Sequence, residues 1–377
     1  MSAQRNLTSQ RPGKICFVGL DNYPVMNPSM GSEYIGGESI QQTLLARAFS
    51  EAGYETSMIV KDFGQPDGEL IDGIRIWKTY RQKAGLPVVR FIHPRFTQVW
   101  SALKRADADI YYQSCAGVLT GFVSRFCRRH RRTFIYRVAS DSDCVPNEQL
   151  VHLWRDRKIY EYGLRRADII SSQSDTQIDL LRQHYGLDSI KTNMVVEVPD
   201  PSVQQAKSID VLWVNNFRGL KQPQVVLELA RQLPGARFTM VGGPMLGHEA
   251  LYEDIRNQAS ALANVDFMGP VPYQEVNDFF LRSRLFLNTS TIEGFPNSFL
   301  QAWIRKLPVV SFFDPDGLIA GKGFGRVPVD TNDMAIAIGE LLEDQDFAEA
   351  IGLRAHEYVV RFYSPKSIVA EYERLVQ

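Results

Sequence analysis

Short apolar runs alternate with amphipathic stretches along almost the whole of this 377-residue chain, and this alternation constrains the fold more than any other feature. The stretch 38–52 is typical of the amphipathic segments, with apolar side chains at helical spacing and Gly53 as a stop signal. Strands and helices in alternation predict a parallel sheet with helices on both faces. The predicted strands lie at 15–20, 56–60, 74–77, 110–112, 134–138 and 169–171, and then at 211–214, 238–241, 265–268, 285–287 and 309–312.

The alternation breaks once, around 195–208, where the sequence Val-Pro-Asp-Pro-Ser is typical of a linker. The chain is also long for a single core. We therefore predict an α/β protein of two Rossmann-like, doubly wound parallel-sheet domains that face each other across a cleft. The predicted divisions are a disordered tail at 1–13, an N-terminal domain at 14–197, a linker at 198–208, a C-terminal domain at 209–360 and a final segment at 361–377.

The end of the chain has the pattern of two helices over 347–377. Ser364 and Pro365 fit the cap and the first position of the second helix, because proline needs no hydrogen-bond partner there.

The charge of the chain is nearly balanced, at a formal −1. No global field therefore attracts nucleic acid or an anionic membrane, and we expect no nucleic-acid partner. One basic run departs from this balance, with five arginines and a histidine between Arg125 and Arg132. It fits either a solvated helix end with cations near its C-terminus or a patch for anionic lipid or an anionic acceptor. The second interpretation allows peripheral contact with the inner face of a membrane.

Cysteine usage and the N-terminal residues indicate a cytoplasmic protein. The four cysteines are scattered without a C-x-x-C motif, which is typical of reduced thiols. The first fourteen residues are polar and lack the apolar core of a signal peptide. No apolar run reaches the length of a membrane span.

The stretch from Asn288 to Trp303 is the strongest local signal for function. Glu293 lies on a glycine-containing loop after the predicted strand 285–287, and Pro296 fits the first position of the helix that follows. The unpaired N–H groups at the beginning of a helix attract anions such as phosphate. A carboxylate beside such N–H groups indicates a group-transfer enzyme with a phosphorylated donor.

Three other predicted strand ends carry weaker signals. The pair Gly36-Gly37 precedes the first helix, where the missing side chains would let a ligand approach the backbone. Arg218 and Lys221 follow the first strand of the second domain, and both side chains suit phosphate binding. The pair Gly242-Gly243 follows the next strand. Ordinary turn chemistry or exposed loop cations remain the alternative at each place.

Other reaction classes have less support. Gly242-Gly243 does not extend to G-x-G-x-x-G, which disfavours a nicotinamide dehydrogenase. Asp141-Ser142-Asp143 fits either a divalent cation that bridges a diphosphate or, more commonly, a turn with capping carboxylates. The histidines lack zinc-ligand spacing, and Walker, kinase and G-x-S-x-G signatures are absent from the sequence.

Together these residues resemble the family 4 retaining glycosyltransferases, which have the two-domain GT-B fold, and the resemblance covers nearly the whole chain. It includes Gly36-Gly37 with the helix that follows, the segment 217–223 around Lys221, and the sequence before the last helix, Phe362-Tyr363-Ser364-Pro365. Its most specific element is Glu293-Gly-Phe-Pro-Asn-Ser-Phe-Leu. The resemblance implies that the N-terminal domain, 14–197, lies on the acceptor side and that the C-terminal domain, 209–360, binds the nucleotide sugar. It also implies that the last helix, within 361–377, crosses back to the N-terminal domain.

The resemblance also implies roles for single residues. Glu293 would bind the hydroxyls of the donor sugar and support the oxocarbenium-like charge, and Lys221 with Arg218 would neutralise the leaving diphosphate. Gly36 and Gly37 would close over the diphosphate from the other domain. Such enzymes usually need no metal, because cations and a helix dipole replace it; we expect no resident metal and no cofactor besides the nucleotide diphosphate sugar itself. The other predicted donor-binding residues are Asn216, Gly243, Gly294, Phe295, Pro296, Asn297, Ser298 and Gln301.

Three places depart from the family pattern, and one of them is the loop 113–117, which lacks the histidine that many members have there. Gln301 stands where the family signature has a second glutamate that holds the nucleotide ribose, and Asn216 stands where many members have arginine. Three hypotheses follow. The favoured one is a retaining hexosyltransferase acting on a saccharide or lipid-linked acceptor in polysaccharide or glycoconjugate biosynthesis. The others are a degenerate member that binds nucleotide sugar or a partner chain without turnover, and another Rossmann-type enzyme such as an epimerase.

Overall fold

A computed structural model describes residues 13–27, 29, 36–86, 90–149, 151, 153–200, 202, 205–291 and 293–376. These residues form two compact units: the first contains 13–27, 36–192 and 368–376, and the second contains 29 and 193–367. The predicted tail lies outside the described residues except for Gly13. Between Asn193 and Ser208, the described residues contain no helix or strand.

Each unit is built on its own sheet. The strands of the first unit are β1 (Lys14–Val18), β2 (Glu55–Val60), β3 (Glu69–Ile71), β4 (Ile74–Lys78), β5 (Ile110–Ser114), β6 (Thr133–Arg137), β7 (Ile169–Ser172) and β8 (Ile190–Lys191). The strands of the second unit are β9 (Ile209–Val214), β10 (Phe238–Val241), β11 (Val265–Gly269), β12 (Ser283–Asn288), β13 (Val309–Ser311) and β14 (Gly325–Arg326).

The two sheets confirm the predicted parallel α/β architecture. The first has the strand order β3-β4-β2-β1-β5-β6-β7-β8, and the second has the order β11-β10-β9-β12-β13-β14. Neighbouring strands are parallel throughout, except that β3 pairs antiparallel with β4. Three of the strands, β3, β8 and β14, were not predicted, because two or three residues are too short for an apolar run to identify.

Helices connect most of the strands. Their bounds are α1 (Tyr23–Met26), α2 (Gly37–Glu51), α3 (Thr97–Ala106), α4 (Val118–His130), α5 (Trp154–Leu164), α6 (Asp175–Tyr185), α7 (Pro223–Gln232), α8 (Glu249–Ala259), α9 (Tyr273–Leu281), α10 (Asn297–Trp303), α11 (Leu318–Lys322), α12 (Thr331–Glu343), α13 (Gln345–Tyr363) and α14 (Pro365–Val376). Short 3₁₀ turns occur at Asp141–Cys144, Gly219–Lys221 and Pro315–Gly317, and a kinked helical turn, Phe91–Phe96, leads into α3.

The last two helices confirm the pattern at the end of the chain. Helix α13 ends at Tyr363, and α14 begins at Pro365, as predicted. Residues 368–376 of α14 belong to the first unit. There the Arg137 guanidinium donates a hydrogen bond of 3.1 Å to the Tyr372 hydroxyl, and the Tyr54 hydroxyl donates one of 2.8 Å to Glu373. Tyr372 is 1% exposed, so the end of the chain is part of the core of this unit.

The prediction that Pro296 is the first helical residue was wrong. Helix α10 begins at Asn297, and Pro296 is its N-cap residue, with an extended ψ of 123°. Proline fixes φ but leaves ψ free, so the sequence could not separate the two positions.

Among the described helices, none is long and apolar enough to cross a bilayer. The four cysteines are free; Cys115 is exposed and the other three are buried.

Candidate active site

The strand order of the second sheet reverses between β9 and β12. Strand β10, which follows β9 in the chain, lies on one side of β9, and β12 lies on the other. Loops that leave two such strands at their carboxyl ends part in opposite directions and open a crevice, the usual ligand position in an open α/β sheet. The loop after β9 contains Arg218 and Lys221, and the loop after β12 contains Glu293. The structure therefore brings the three predicted catalytic residues to one edge of one sheet.

Lys221 and Glu293 are in direct contact. The Lys221 ammonium group donates a hydrogen bond to Oε1 of Glu293, and the two side chains are 10% and 9% exposed. The Asn288 amide donates a longer bond of 3.5 Å to the same oxygen. Burial lowers the pKa of Lys221, the Glu293 carboxylate opposes that shift, and the charge of Arg218 adds to it. Two cations thus share this site with one carboxylate.

A buried chain of hydrogen bonds holds the backbone at Lys221. The Trp213 indole N–H donates to the Thr289 hydroxyl at 2.9 Å, and that hydroxyl donates to the Lys221 carbonyl at 2.6 Å. The backbone N–H of Thr291 donates to the Leu220 carbonyl at 3.3 Å. The loops after β9 and β12 are therefore joined, which fixes the position of the lysine against the glutamate. Sequence reasoning missed this contribution of Thr289.

Several buried polar atoms in the segments that follow β9 and β12 in the chain have no hydrogen-bond partner among the described residues. They are Asn215 Nδ2, Arg218 Nε, Ser290 Oγ and Gln301 Nε2. Buried polar groups in folded proteins are almost always paired, so such a group needs a reason. All four atoms can donate a hydrogen bond, and a ligand rich in oxygen acceptors would satisfy them. Asn215 and Ser290 were not predicted as site residues.

The pair Gly242-Gly243 supports the loop that contains Arg218. Gly242 has a φ of +146°, and a Cβ atom there would lie 1.8 Å from the Asn215 carbonyl oxygen. The Gly243 carbonyl accepts a hydrogen bond of 2.9 Å from the backbone N–H of Phe217. Both glycines therefore help to shape the loop that contains Arg218. Contact of Gly243 with a donor stays a prediction. Asn216 in the same loop is exposed.

The predicted donor-binding residues after Glu293 take different positions. Gly294 is exposed, and a Cβ atom added there would meet nothing within 4 Å. The Phe295 ring packs 5.7 Å from the ring of Tyr363, so its side chain belongs to the hydrophobic core. Asn297 and Ser298 form the first turn of α10, and Gln301 lies one turn further along.

Gly36 and Gly37 belong to the first unit. Gly36 is the N-cap residue of α2, with an ordinary φ of −84°, and Gly37 is the first helical residue. A Cβ atom at Gly36 would meet nothing within 4 Å, so no described neighbour requires glycine there. Burial raises the pKa of the next residue, Glu38, against the opposing charge of Arg137.

The Asp141-Ser142-Asp143 segment forms a turn of capping carboxylates. Asp143 accepts a hydrogen bond of 3.1 Å from the backbone N–H of Ala139, and Asp141 accepts one of 3.0 Å from the Gln177 amide. Burial raises the pKa of Asp143 to about 6. Among the described residues, no group of three or more histidine, cysteine, aspartate or glutamate side chains is arranged to hold a metal ion.

Residues 209–344 match the family model for glycosyl transferases group 1. A curated relative from Arabidopsis thaliana, one of the subunits of phosphatidylinositol N-acetylglucosaminyltransferase, is 26% identical over 289 residues, which are 71% of this chain. The chain spans 62% of the length of that relative.

Several solved structures have a similar fold. Sucrose-phosphate synthase from Thermosynechococcus elongatus aligns with a TM-score of 0.75 and 16% identity over 97% of this chain and 98% of its own. A mutant of TarM from S. aureus, in complex with fondaparinux, α-GlcNAc-glycerol and UDP, aligns with a TM-score of 0.60 and 18% identity over 75% of this chain and 59% of its own.

The two parallel sheets thus form a GT-B fold, and residues 209–344 of the second unit match the model of the group 1 glycosyl transferases. The predicted GT-B fold is therefore confirmed, whereas the assignment of the chain to family 4 stays a prediction.

Proposed function

We propose that this protein is a retaining, metal-independent hexosyltransferase that moves a sugar from a nucleotide diphosphate sugar to a saccharide or lipid-linked acceptor. The observation that carries the proposal is the buried Lys221–Glu293 pair beside Arg218, at the point where the strand order of the second sheet reverses. The group 1 family match and the UDP in the TarM complex support a nucleotide-sugar donor. The name of the plant relative supports a lipid-linked acceptor.

Binding of the donor would redistribute the charges of the site. The diphosphate would draw the Lys221 ammonium group and the Arg218 guanidinium towards its oxygens, because both cations prefer the larger negative charge. Glu293 would then accept hydrogen bonds from the sugar hydroxyls. The unpartnered donors of Asn215, Ser290 and Gln301 would gain oxygen acceptors from the nucleotide and sugar.

The transfer step breaks the bond between the anomeric carbon and the diphosphate oxygen and forms a bond from that carbon to the acceptor oxygen on the same face. The acceptor proton passes to the leaving diphosphate, so no separate strong base is needed. Lys221 and Arg218 stabilise the negative charge that develops on the leaving group, and Glu293 stabilises the positive charge on the sugar ring. The cations take the place of a metal ion.

A screen with UDP-, GDP- and ADP-sugars tests the proposal, with donor hydrolysis and transfer both measured. We expect turnover with one base class, retention of the anomeric configuration by NMR, and full activity in EDTA. The Glu293→Gln variant should lose at least about a hundredfold in turnover, the effect typical of one electrostatic catalytic group. Unchanged turnover in that variant would exclude Glu293 from catalysis. Tight nucleotide binding without turnover would favour the degenerate, binding-only alternative.

We also propose that the reaction takes place on the cytoplasmic side of the membrane, because free cysteines are typical of a reducing compartment.

A further inference from the structure

Three large apolar side chains of the first unit are exposed close to the beginnings of helices α3 and α5. Ile92 is 63% exposed, Leu153 is 56% exposed and Trp154 is 75% exposed. Trp154 is the first residue of α5, and Ile92 lies in the turn before α3. A tryptophan with only a quarter of its surface covered loses hydrophobic stabilisation unless another surface covers it.

Aromatic contacts join these segments into one surface. The Arg155 guanidinium lies 3.8 Å from the centre of the Phe91 ring. The Phe91 ring centre is 5.7 Å from that of Phe122 in α4, and the Phe96 ring centre is 4.8 Å from the same ring. The beginning of α5, the turn before α3 and the middle of α4 therefore lie side by side.

Helix α4 adds two arginines to this surface. Arg125 and Arg129 are exposed and one helical turn apart. With Phe96 and Trp100 of the neighbouring segment they line a shallow pocket of about 360 Å³. Neither arginine forms an ion pair with a described carboxylate within 4.0 Å. We name the set Ile92, Arg125, Arg129, Leu153 and Trp154 the basic–apolar face.

The sequence concentrates positive charge around this face. Residues 79–106 and 110–140 contain no aspartate or glutamate and together have twelve lysines and arginines, although the whole chain has 42 basic and 43 acidic residues. Some of these cations are paired elsewhere, such as Arg132 with Asp107 and Asp109. The remainder gives the first unit a local positive field within a chain of nearly zero net charge.

We propose that the basic–apolar face binds an anionic lipid bilayer. Arginines attract anionic headgroups, and tryptophan with aliphatic side chains inserts at the boundary between headgroups and acyl chains. Nucleic acid would use the arginines but would leave Ile92 and Leu153 without a partner, because phosphate contacts take no apolar side chain. This inference rests on the proposed function, in which a lipid-linked acceptor is one alternative. The basic–apolar face is where the enzyme would contact the membrane that holds such an acceptor. Vesicle binding nevertheless does not depend on turnover.

Cosedimentation of the full-length chain with vesicles tests the proposal, with pure phosphatidylcholine compared against a mixture containing about 30% phosphatidylglycerol. We expect binding to the anionic vesicles only, and weaker binding as salt rises. Arg125→Gln with Arg129→Gln should weaken partitioning about 30-fold, which corresponds to about 1 kcal/mol for each basic side chain. Trp154→Ser should weaken it about tenfold, from the loss of one inserted apolar side chain.

A charge-matched control is Arg231→Gln with Lys366→Gln, two exposed cations of the second unit. The control should partition like the wild type. Equal losses in the control and in the Arg125/Arg129 variant would overturn the proposal, and so would failure of the wild type to bind anionic vesicles. Donor hydrolysis in solution should be the same in the Arg125/Arg129 variant and the wild type. That readout separates a failure of the membrane inference from a failure of the proposed function.

Discussion

The Lys221 ammonium group hydrogen-bonds the Glu293 carboxylate while the two side chains are only 10% and 9% exposed. Taking either charge out of water alone would be costly, so each residue makes the burial of the other possible. Their loops follow neighbouring strands, β9 and β12, which lets residues 72 positions apart in sequence form one site. A diphosphate would offer Lys221 a second anionic partner at the same place.

The first prediction concerns this pair. Lys221→Met should lower the free energy of unfolding by about 3 kcal/mol, because Glu293 would stay buried without the cation that hydrogen-bonds it. The double variant with Glu293→Gln should be more stable than the Lys221→Met variant, since it removes the unpaired charge as well. Urea unfolding of the wild type, both single variants and the double variant measures the coupling. Additive losses would contradict a direct interaction.

Replacement of Lys221 should also weaken nucleotide binding. We expect the Lys221→Met variant to bind nucleoside diphosphates at least about tenfold more weakly, from the loss of one charge-assisted hydrogen bond. Isothermal calorimetry with the nucleotide found in the donor screen checks this. Equal affinity in variant and wild type would remove Lys221 from the phosphate site.

The second prediction concerns Gly36. Serine there should raise stability by a few tenths of a kcal/mol, because it is a better N-cap residue than glycine and its Cβ has free space. If the backbone at Gly36 approaches the donor, the same variant should nevertheless lose most of its turnover. Thermal unfolding and the transfer assay, run on one preparation, separate these two effects.

Gly242→Ser is the matched control for Gly36. Its Cβ atom would lie 1.8 Å from the Asn215 carbonyl oxygen, at a φ of +146° that side chains rarely adopt. This variant should unfold at a clearly lower temperature. Equal losses of stability in the two variants would contradict the assignment of Gly242 as a structural glycine and of Gly36 as a ligand-facing one.

The third prediction concerns Thr289, which acts through its neighbours. Thr289→Val removes the acceptor of the Trp213 indole and the donor to the Lys221 carbonyl, and both groups are buried. We expect a loss of about 1–3 kcal/mol in the free energy of unfolding and weaker nucleoside diphosphate binding. Thr289→Ser keeps the hydroxyl and should restore nucleotide affinity. Normal affinity in the valine variant would mean that Lys221 does not depend on this support.

The fourth prediction is a pH dependence from Asp143. Burial raises its pKa to about 6 in the folded protein, from an ordinary value of 3.8. Between these two values the folded state binds more protons than the unfolded state, so the stabilising contribution is complete at about pH 4 and is lost as the pH rises through 6. The loss amounts to about 3 kcal/mol.

Asp143→Asn cannot ionise, but its amide oxygen can still accept the hydrogen bond from Ala139. The variant should therefore gain stability relative to the wild type between about pH 4.5 and about pH 7.5. Urea unfolding at both pH values checks this, and a constant difference between the two proteins would show that Asp143 does not titrate in that range.

The sequence predicted the strands well because burial on both faces requires continuous apolar runs, as in 211–214. It missed β3 because Glu69–Ile71 is a short, partly exposed edge strand with no such run. The predicted linker at 198–208 depends on two prolines that interrupt the alternation, and it stays a prediction. The observed bounds of most predicted strands differ by one or two residues from the predicted ones, since hydrogen bonding rather than composition decides where an element ends.

The sequence predicted those site residues that are charged and also lie directly after a predicted strand. Glu293, Lys221 and Arg218 are charged residues at strand ends, and the structure brings them together. Asn215 and Ser290 were not distinguishable, because a polar residue in a loop becomes informative only when its atoms are seen to be buried without partners. The role of Thr289 depends on an indole 76 positions earlier in sequence, and no local pattern encodes that distance.

The docking of α14 onto the first unit has a practical consequence for dissecting the molecule. Tyr372 fills a place between Phe49 and Tyr112, with ring centres about 6 Å from each. A fragment cut after Thr192 would leave that place empty and would strip the buried Arg137 of a phenol partner. An isolated N-terminal half should therefore be designed with α14 attached through a short connector. Without that helix, the first unit would lack part of its own hydrophobic core.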